Sequence, residues 1–138
     1  LHGDGMPMAF PDLLRAEGFD VTVNQPGDRL AQRDFDLVLF LMAEETLLTR
    51  GRIFLDWNRL NGGMFGAMAR HWHQVPTALI SFGYPYYLYD APRMPCVVNA
   101  YATMDTMQRA TLDCLMGRVP FRGTNPVDPF CGLSDARF

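Results

Sequence analysis

The stretch TALISFGYPYYLYDAPRMPCVVNAY, residues 77–101, decides how this chain folds. It opens with a nearly continuous apolar run, residues 77–82, which ends at Gly83 and passes into a turn rich in tyrosine and proline. A second short apolar run follows at residues 96–99. Short apolar runs bounded by Gly and Pro are typical of strands that are buried on both faces of a parallel sheet. The stretch therefore predicts two buried strands joined by a connection with one helical turn at residues 85–89.

The sequence upstream of this stretch repeats the same alternation of helix and strand. Residues 36–43, DLVLFLMA, form the clearest strand because they are apolar almost throughout. A shorter strand is predicted at residues 19–23. Before it, an amphipathic helix is expected to end at Gly18, since glycine is the usual residue just past a helix C-terminus. The apolar face of that helix holds Met6, Phe10, Leu13 and Leu14.

Two further helices are predicted from the spacing of apolar residues. A four-residue step separates Leu60, Met64, Met68 and Trp72, which predicts a core-facing helix that extends through His71. The last helix is expected to begin with Thr103 or Asp105 as its N-cap and to end at Gly117. Its predicted apolar face comprises Met104, Met107, Ala110, Thr111, Cys114 and Leu115.

This order of elements predicts a three-layer α/β/α sandwich with a mostly parallel, flavodoxin-like sheet. The first helix has no strand before it, although a doubly wound sheet normally begins with one. We therefore expect the sheet either to lack its first strand or to be completed by upstream sequence, and the chain begins at Leu1 as if cut from something longer. Its 138 residues are expected to form a single domain with an irregular tail at 122–138.

Composition excludes several classes of function. Hydrophobic residues make up 49% of the chain and charged residues 20%, which is ordinary for a globular protein and unlike a disordered one. The net charge of −3 offers no basic surface for nucleic acid or an anionic membrane. The three cysteines, Cys96, Cys114 and Cys131, are odd in number and far apart, so reduced thiols are expected in place of disulfides or a zinc site. The compartment stays open, with the cytoplasm slightly favoured.

Polar and aromatic side chains follow the predicted strand 36–43, and these are the candidate site residues. Glu44 and Glu45 come directly after the strand, and the loop beyond them adds Arg52, Asp56 and Trp57 as candidate substrate-binding residues. Ligands of open α/β sheets bind beyond the carboxyl ends of the strands. A carboxylate beside an aromatic face is the combination that a sugar site requires. The competing interpretation of these residues is a solvated loop or a contact with another domain.

Three segments in this order and at this spacing closely resemble the end of the C-terminal α/β domain of glycoside hydrolase family 3. They are SFGYPYYLYDAP (residues 81–92), VVNAY (97–101) and LMGRVPFRGTNPVDPFCGL (115–133). Within that family the chain is most similar to bacterial β-N-acetylhexosaminidase-type members. The resemblance implies a larger enzyme that removes terminal β-linked sugars by a retaining mechanism, with no metal or organic cofactor and with its nucleophile in an N-terminal catalytic barrel. A barrel needs about 250 residues, so none fits here, and the isolated chain is expected to be inactive.

The resemblance leaves the role of the site residues open. In many family members a carboxylate from this domain serves as general acid/base, which makes Glu44, Glu45 and Asp56 the catalytic candidates, although the branch resembled here uses a His–Asp pair in a barrel loop. The alternatives are a purely structural or dimerisation module and a free-standing flavodoxin-like ligand-binding protein. The expected partners are the barrel of the same polypeptide, a carbohydrate substrate and, as a further possibility, a second copy of the chain.

Overall fold

In a computed structural model, the chain is described at residues 8–25, 34–44, 54–69, 71–91 and 94–134. Helices and strands alternate along most of these ranges, as the sequence predicts. The helices are α1 (Phe10–Ala16), α2 (Trp57–Leu60), α3 (Met64–Met68) and α4 (Asp105–Leu115), and the strands are β1 (Val38–Met42), β2 (Thr77–Ser81) and β3 (Cys96–Asn99). Two segments of 3-10 helix lie at His71–His73 and Pro85–Asp90. None of the helices in these ranges is long and apolar enough to cross a membrane.

The three strands form one parallel sheet in the order β1-β2-β3. Val38 pairs with Thr77 at the start of β1, and Ala78 pairs with Cys96 at the start of β3. β2 is central and all five of its residues are buried. This is why TALIS is apolar almost throughout: both of its faces meet protein. The predicted strands at 36–43, 77–82 and 96–99 are therefore confirmed.

Two hydrophobic clusters cover the two faces of the sheet. On one face, Phe40 and Leu79 pack against side chains of the two β-to-β connections, among them Trp72 and Tyr87. Buried residues of α1 and α4 pack on the opposite face: Phe10, Leu14 and Leu112 contact Leu41, Ile80 and Phe82. The two connections, β1 to β2 and β2 to β3, therefore lie on the same face of the sheet. This is expected when both parallel crossovers have the same handedness. The structure thus confirms the three-layer α/β/α sandwich.

Glycine ends both long helices, as predicted. Gly18 and Gly117 adopt positive φ angles of 92° and 72°. In each case the next residue donates its N–H back into the last turn: Phe19 to the Leu14 carbonyl at 3.2 Å and Arg118 to the Asp113 carbonyl at 2.9 Å. The glycines add a second bond each, from the Gly18 N–H to the Arg15 carbonyl and from the Gly117 N–H to the Cys114 carbonyl. The two bonds together form the Schellman motif, which satisfies carbonyls that the helix leaves without partners.

An ion pair joins the ends of α1 and α4 at the surface. The Arg118 guanidinium donates to both carboxylate oxygens of Glu17 and, at 3.1 Å, to Asp113. The hydrogen bond from Arg118 holds the pKa of Glu17 below its ordinary value of 4.5, and the Glu17 carboxylate raises the pKa of Arg118. The pair therefore ties together two helices that are about 100 positions apart in sequence.

We expect the stability gained from this pair to depend on pH. Because the folded pKa of Glu17 is depressed, its contribution is fully present above about pH 4.5 and is lost as the pH falls through the lower folded value. Arg118→Met should therefore be less stable than the wild type at pH 7, and the difference should disappear in acid. Urea unfolding from pH 7 to pH 3 measures this, with Arg122→Met in the exposed tail as the control. A difference that is constant with pH would contradict the prediction.

The predicted strand at residues 19–23 is wrong. Residues 19–25 carry no strand pairing, and the Val21 carbonyl instead accepts a hydrogen bond at 3.1 Å from the Arg15 side chain of α1. Phe19 is exposed. The alternation of apolar and polar residues at 19–23 is correct for a strand, but a strand also needs a neighbouring backbone, which the described residues do not supply.

The single core-facing helix predicted from Leu60 to His71 is also wrong. Two short helices replace it, α2 and α3, with a break at Gly62 and Gly63, which both adopt positive φ. Met64 and Met68 point to solvent, although Trp72 is buried as predicted. Two adjacent glycines favour a turn over a helix, and here they outweigh the four-residue apolar step.

We expect Gly66→Ala to disrupt the packing of α3 on the turn before it. A Cβ at this position would lie 1.9 Å from the backbone carbonyl oxygen of Asn61, which no rotamer change can relieve. Overpacking of this kind costs about 1–3 kcal/mol of unfolding free energy. Gly123→Ala is the matched control, because a Cβ there meets nothing within 4 Å. Equal stability of the two variants in urea unfolding would show that α3 does not pack as described.

Helix α4 forms over Asp105–Leu115, and its core-facing side matches the predicted one in part, since Thr111 is buried and Met107 and Leu115 pack against the core. Gln108, Thr111 and Leu112 are buried, whereas Met104 is exposed, as is Ala110. The N-cap is Met104, with no side-chain cap, so Thr103 and Asp105 do not serve as predicted. Gln108 is fully buried because both ends of its amide are used. Its Oε1 accepts the Phe10 N–H at 2.8 Å, and its Nε2 donates to the Thr103 carbonyl at 2.5 Å.

Candidate functional site

The carboxyl ends of the three strands lie level at one edge of the sheet. Met42 pairs with Ser81, and Ser81 pairs with Asn99, so all three strands finish at the same height. The backbones that follow stay joined: Phe82 N–H donates to the Met42 carbonyl at 2.7 Å, and Ala100 N–H to the Ser81 carbonyl at 2.8 Å. We call this place, with the residues that follow each strand, the carboxyl edge. Open α/β sheets bind their ligands at such an edge.

Glu44 is the candidate catalytic residue that the structure places at the carboxyl edge. It lies two residues past β1, and its carbonyl accepts the Tyr84 N–H at 2.7 Å. Its side-chain Oε2 accepts a hydrogen bond from the Tyr87 hydroxyl at 2.9 Å. Tyr87 is buried and packs edge-on against the Tyr84 ring, 5.8 Å away, so this donor is held rigidly. The hydrogen bond from Tyr87 therefore fixes the orientation of the Glu44 carboxylate.

A second polar group at the same edge joins residues far apart in sequence. The Tyr101 hydroxyl donates to Asn125 Oδ1 at 2.7 Å, and Asn99 Nδ2 approaches the same oxygen at 3.4 Å. Asn99 Oδ1 is buried and accepts no hydrogen bond from any of the described residues. Tyr101 has a φ of 64°, in the left-handed region that a tyrosine rarely adopts. Strained backbone clusters at functional sites, and a buried polar atom without a partner calls for an explanation.

Ser81 ends β2 at the same edge, but its hydroxyl is occupied. It is fully buried and donates to the Tyr84 carbonyl at 2.7 Å, which closes the turn after the strand. This hydrogen bond accounts for the serine as a turn residue. The sequence also gives it no nucleophile signature, since no G-x-S-x-G surrounds it.

Asp56 and Trp57, predicted to bind substrate, have structural roles in the described chain. Asp56 is the N-cap of α2, where its Oδ1 accepts the Arg59 N–H at 3.1 Å. The Trp57 ring packs against Phe40 and Trp72 at centroid distances of 5.5 and 5.4 Å, and its indole N–H donates to the Asp90 carbonyl at 2.9 Å. These contacts account for both residues without a ligand, so their binding role remains a prediction.

Glu45 and Arg52, the other two candidates, lie outside the described residues. Two functional candidates were missed by sequence reasoning. Tyr87, which orients Glu44, is in the sequence only one of several tyrosines in the turn rich in tyrosine and proline. Asn125 was placed in the irregular tail, and no local pattern indicates that it meets Tyr101, 24 positions earlier. Only a three-dimensional contact identifies it.

Comparison with known proteins shows what the whole chain is similar to. The chain is 34% identical, over 91% of its length, to a protein of Cellulomonas fimi named beta-N-acetylglucosaminidase/beta-glucosidase. It superposes with a TM-score of 0.75 and 34% identity, over 93% of its length, on a solved structure of beta-glucoside phosphorylase BglX. This chain matches a C-terminal fragment of a glycoside hydrolase family 3 enzyme. The family that the sequence resembles is therefore confirmed.

The same family 3 match extends to a second solved structure, beta-glucoside phosphorylase BglX bound to 2FGlc, at a TM-score of 0.72 and 33% identity over 90% of the chain. The chain spans about 23% of the length of the Cellulomonas protein and of the first of these structures. No family model matches the chain. The chain is therefore similar to these structures in sequence as well as in fold.

Proposed function

We propose that this family 3 fragment works in a longer polypeptide that removes terminal β-linked sugars, N-acetylglucosamine or glucose, by a retaining mechanism. The observation that carries the proposal is the 34% identity over nine-tenths of the chain to a protein with these two activities in its name. The reacting nucleophile belongs to an N-terminal catalytic barrel, which would lie in the more than three-quarters of the relative that this chain does not span. The chain itself braces that barrel and lines its cleft with the carboxyl edge.

Glu44 is the residue of this edge that we assign to the cleft. A carboxylate held by Tyr87 can accept a hydrogen bond from a sugar hydroxyl without losing side-chain freedom at the moment of binding, because that freedom is already lost. A charge-assisted hydrogen bond of this kind contributes about 1.5–3 kcal/mol. Glu44 could serve instead as the general acid/base, which requires the two reacting carboxyl groups to lie about 5–5.5 Å apart.

The acceptor of the sugar is either water or phosphate. In a retaining mechanism the nucleophile displaces the leaving alcohol, which takes a proton, and forms a glycosyl ester; a second molecule then attacks the same carbon and releases the carboxylate. Water as the second molecule gives the free sugar, and inorganic phosphate gives the sugar 1-phosphate. The names of the two solved structures favour phosphate, whereas the name of the Cellulomonas protein favours water.

We expect the full-length polypeptide to release nitrophenol from nitrophenyl N-acetyl-β-glucosaminide or nitrophenyl β-glucoside, and the 138-residue chain alone to release none. Product analysis with and without phosphate distinguishes the two acceptors. Turnover by the chain alone that survives substitution of Glu44, Glu45 and Asp56 would contradict the proposal that the nucleophile lies elsewhere. A full-length polypeptide that cleaves neither substrate would contradict the proposed activity.

The role of Glu44 is tested in the same full-length protein. We expect Glu44→Gln to lower kcat/KM by about 10–100-fold through the lost hydrogen bond, and Tyr87→Phe to have a smaller effect in the same direction. A general acid/base would show itself by a kcat loss of about 100–10,000-fold and by loss of one limb of the pH–rate profile. Asp105→Asn, an exposed carboxylate on α4, is the matched control. Unchanged kinetics in both variants would leave a purely architectural role for this chain.

A further inference from the structure

Helix α3 presents its large apolar side chains to solvent and its small residues to the protein. Phe65 is 82% exposed, Met68 72% and Met64 62%. Their positions, i, i+1 and i+4, place the three side chains within about 100° of one another around the helix axis. Gly66 lies toward the preceding turn. The helix is therefore inverted relative to an ordinary surface helix, whose apolar stripe faces the core.

The backbone around α3 fixes how the helix is rotated about its own axis. Gly63, immediately before the helix, has a φ of 123° and N-caps it. Gly66 approaches the Asn61 carbonyl so closely that no side chain fits between them. Rotating the helix to bury Met64 or Met68 would carry a larger residue into this contact. The three apolar side chains must then find their cover outside the described residues, as exposed apolar patches generally do.

The area of this patch indicates what covers it. One Phe and two Met side chains offer on the order of 500 Å². A stable interface between separate proteins needs about 800 Å² from each partner, so the patch alone is too small to hold a free second copy. A tethered neighbour needs less area, because linkage raises its effective concentration. The relatives supply such a neighbour, since more than three-quarters of the Cellulomonas protein lies outside the matched segment.

We propose that the outer face of α3, formed by Met64, Phe65 and Met68, packs against the catalytic portion of the longer polypeptide. This inference rests on the proposed function, because it takes that portion as given, and it names the surface by which the chain braces the barrel. The face lies on the connection between β1 and β2, and Glu44 is near the start of the same connection. Packing here would therefore fix the position of Glu44 relative to the barrel.

Site-specific photo-crosslinking in the full-length polypeptide tests the contact directly. A benzophenone amino acid at position 65 should crosslink to a peptide outside the 138 residues of the same polypeptide chain, and one at position 109, on the exposed side of α4, should not. A crosslink to a second copy would overturn the proposal, as would a crosslink to residues 45–53 of this chain or no crosslink at all. The sugar-cleavage assay on the same protein keeps the two proposals separate: activity without the crosslink overturns only this one.

A pair of substitutions measures the strength of the contact. In the isolated chain, Phe65→Ser combined with Met68→Ser should leave the melting temperature within about 2 °C, because both side chains already face water. In the full-length polypeptide the same pair should lower the melting temperature by roughly 5 °C and separate the unfolding of the two portions. Met104→Ser, similarly exposed on the other face of the sheet, should change neither. An equal response of the double variant in both proteins would overturn the proposal.

Discussion

Phe82→Ala is expected to destabilise the isolated chain by about 3–5 kcal/mol, the largest effect of any single substitution that we predict. Phe82 is fully buried directly after β2, and its ring lies 5.3 Å from that of Phe10, which is also fully buried at the start of α1. Truncation leaves a cavity between the sheet and α1 that the rigid strand end cannot close. Because whole domains are stable by only about 5–15 kcal/mol, the variant should be close to unfolding at 37 °C.

Chemical denaturation of Phe82→Ala measures this cost, with Phe65→Ala as the matched control. Both variants remove the same atoms, but Phe65 is 82% exposed in the isolated chain, so its substitution should change stability by no more than about 0.5 kcal/mol. A double-mutant cycle with Phe10→Ala should also give a coupling of about 0.5–1.5 kcal/mol from the ring pair. Similar losses in Phe82→Ala and Phe65→Ala would mean that α1 does not pack on the sheet as described.

Gln108→Met should cost about 2–4 kcal/mol, although it exchanges a polar side chain for an apolar one of similar size at a buried site. The amide of Gln108 joins α4 to the start of α1 and to the loop before α4. Methionine would remove both the acceptor of the Phe10 N–H and the donor to the Thr103 carbonyl. Each buried group left unsatisfied costs about 1–3 kcal/mol, which outweighs the gain from burying a more apolar side chain.

Gln108→Glu separates hydrogen bonding from packing. A carboxylate can accept from the Phe10 N–H but cannot donate to the Thr103 carbonyl, and its charge would be buried. Protonation restores the donor and removes the charge. The variant should therefore lose stability at pH 7 and recover part of it near pH 4, relative to the wild type at each pH. Arg109→Met, at the adjacent exposed position, should be neutral. A Gln108→Met variant as stable as the wild type would contradict the assigned hydrogen bonds.

The elements that sequence reasoning predicted correctly depend on local signals. Residues 77–82 indicate a buried strand by composition alone, and Gly18 and Gly117 end their helices because each adopts the left-handed conformation that glycine favours. The predicted strand at 19–23 failed because pairing depends on a neighbour that the pattern does not specify. In α4 the same limit applies to Gln108, since a buried glutamine is recognisable only once both of its partners are known.

The location of the candidate site stays a prediction, but the structure shows which of its predicted residues lie at the carboxyl edge. The rule that ligands bind beyond strand ends directs attention to Glu44, and the structure places Glu44 at that edge. The same rule cannot show that Trp57 packs against the core or that Asp56 caps a helix, because the sequence alone is equally compatible with a sugar-binding role for both residues. Asn125 meets Tyr101 only after the chain has passed through α4 and returned to the same edge.

Two features have a consequence for how this protein could be engineered: the left-handed backbone at Tyr101 and the Asn99 Oδ1, which has no hydrogen-bond donor among the residues that the structure describes. Backbone strain and a buried polar atom without a partner each cost about 1–3 kcal/mol in general, and both features occur at the carboxyl edge. Selection for heat resistance should therefore enrich substitutions at the carboxyl edge first, because relaxing the Tyr101 torsion or the Asn99 amide there stabilises the folded state. Variants selected in that way should gain thermal stability and lose part of the proposed sugar binding. Stabilising substitutions in the core between the sheet and helices α1 and α4 should not lower that binding.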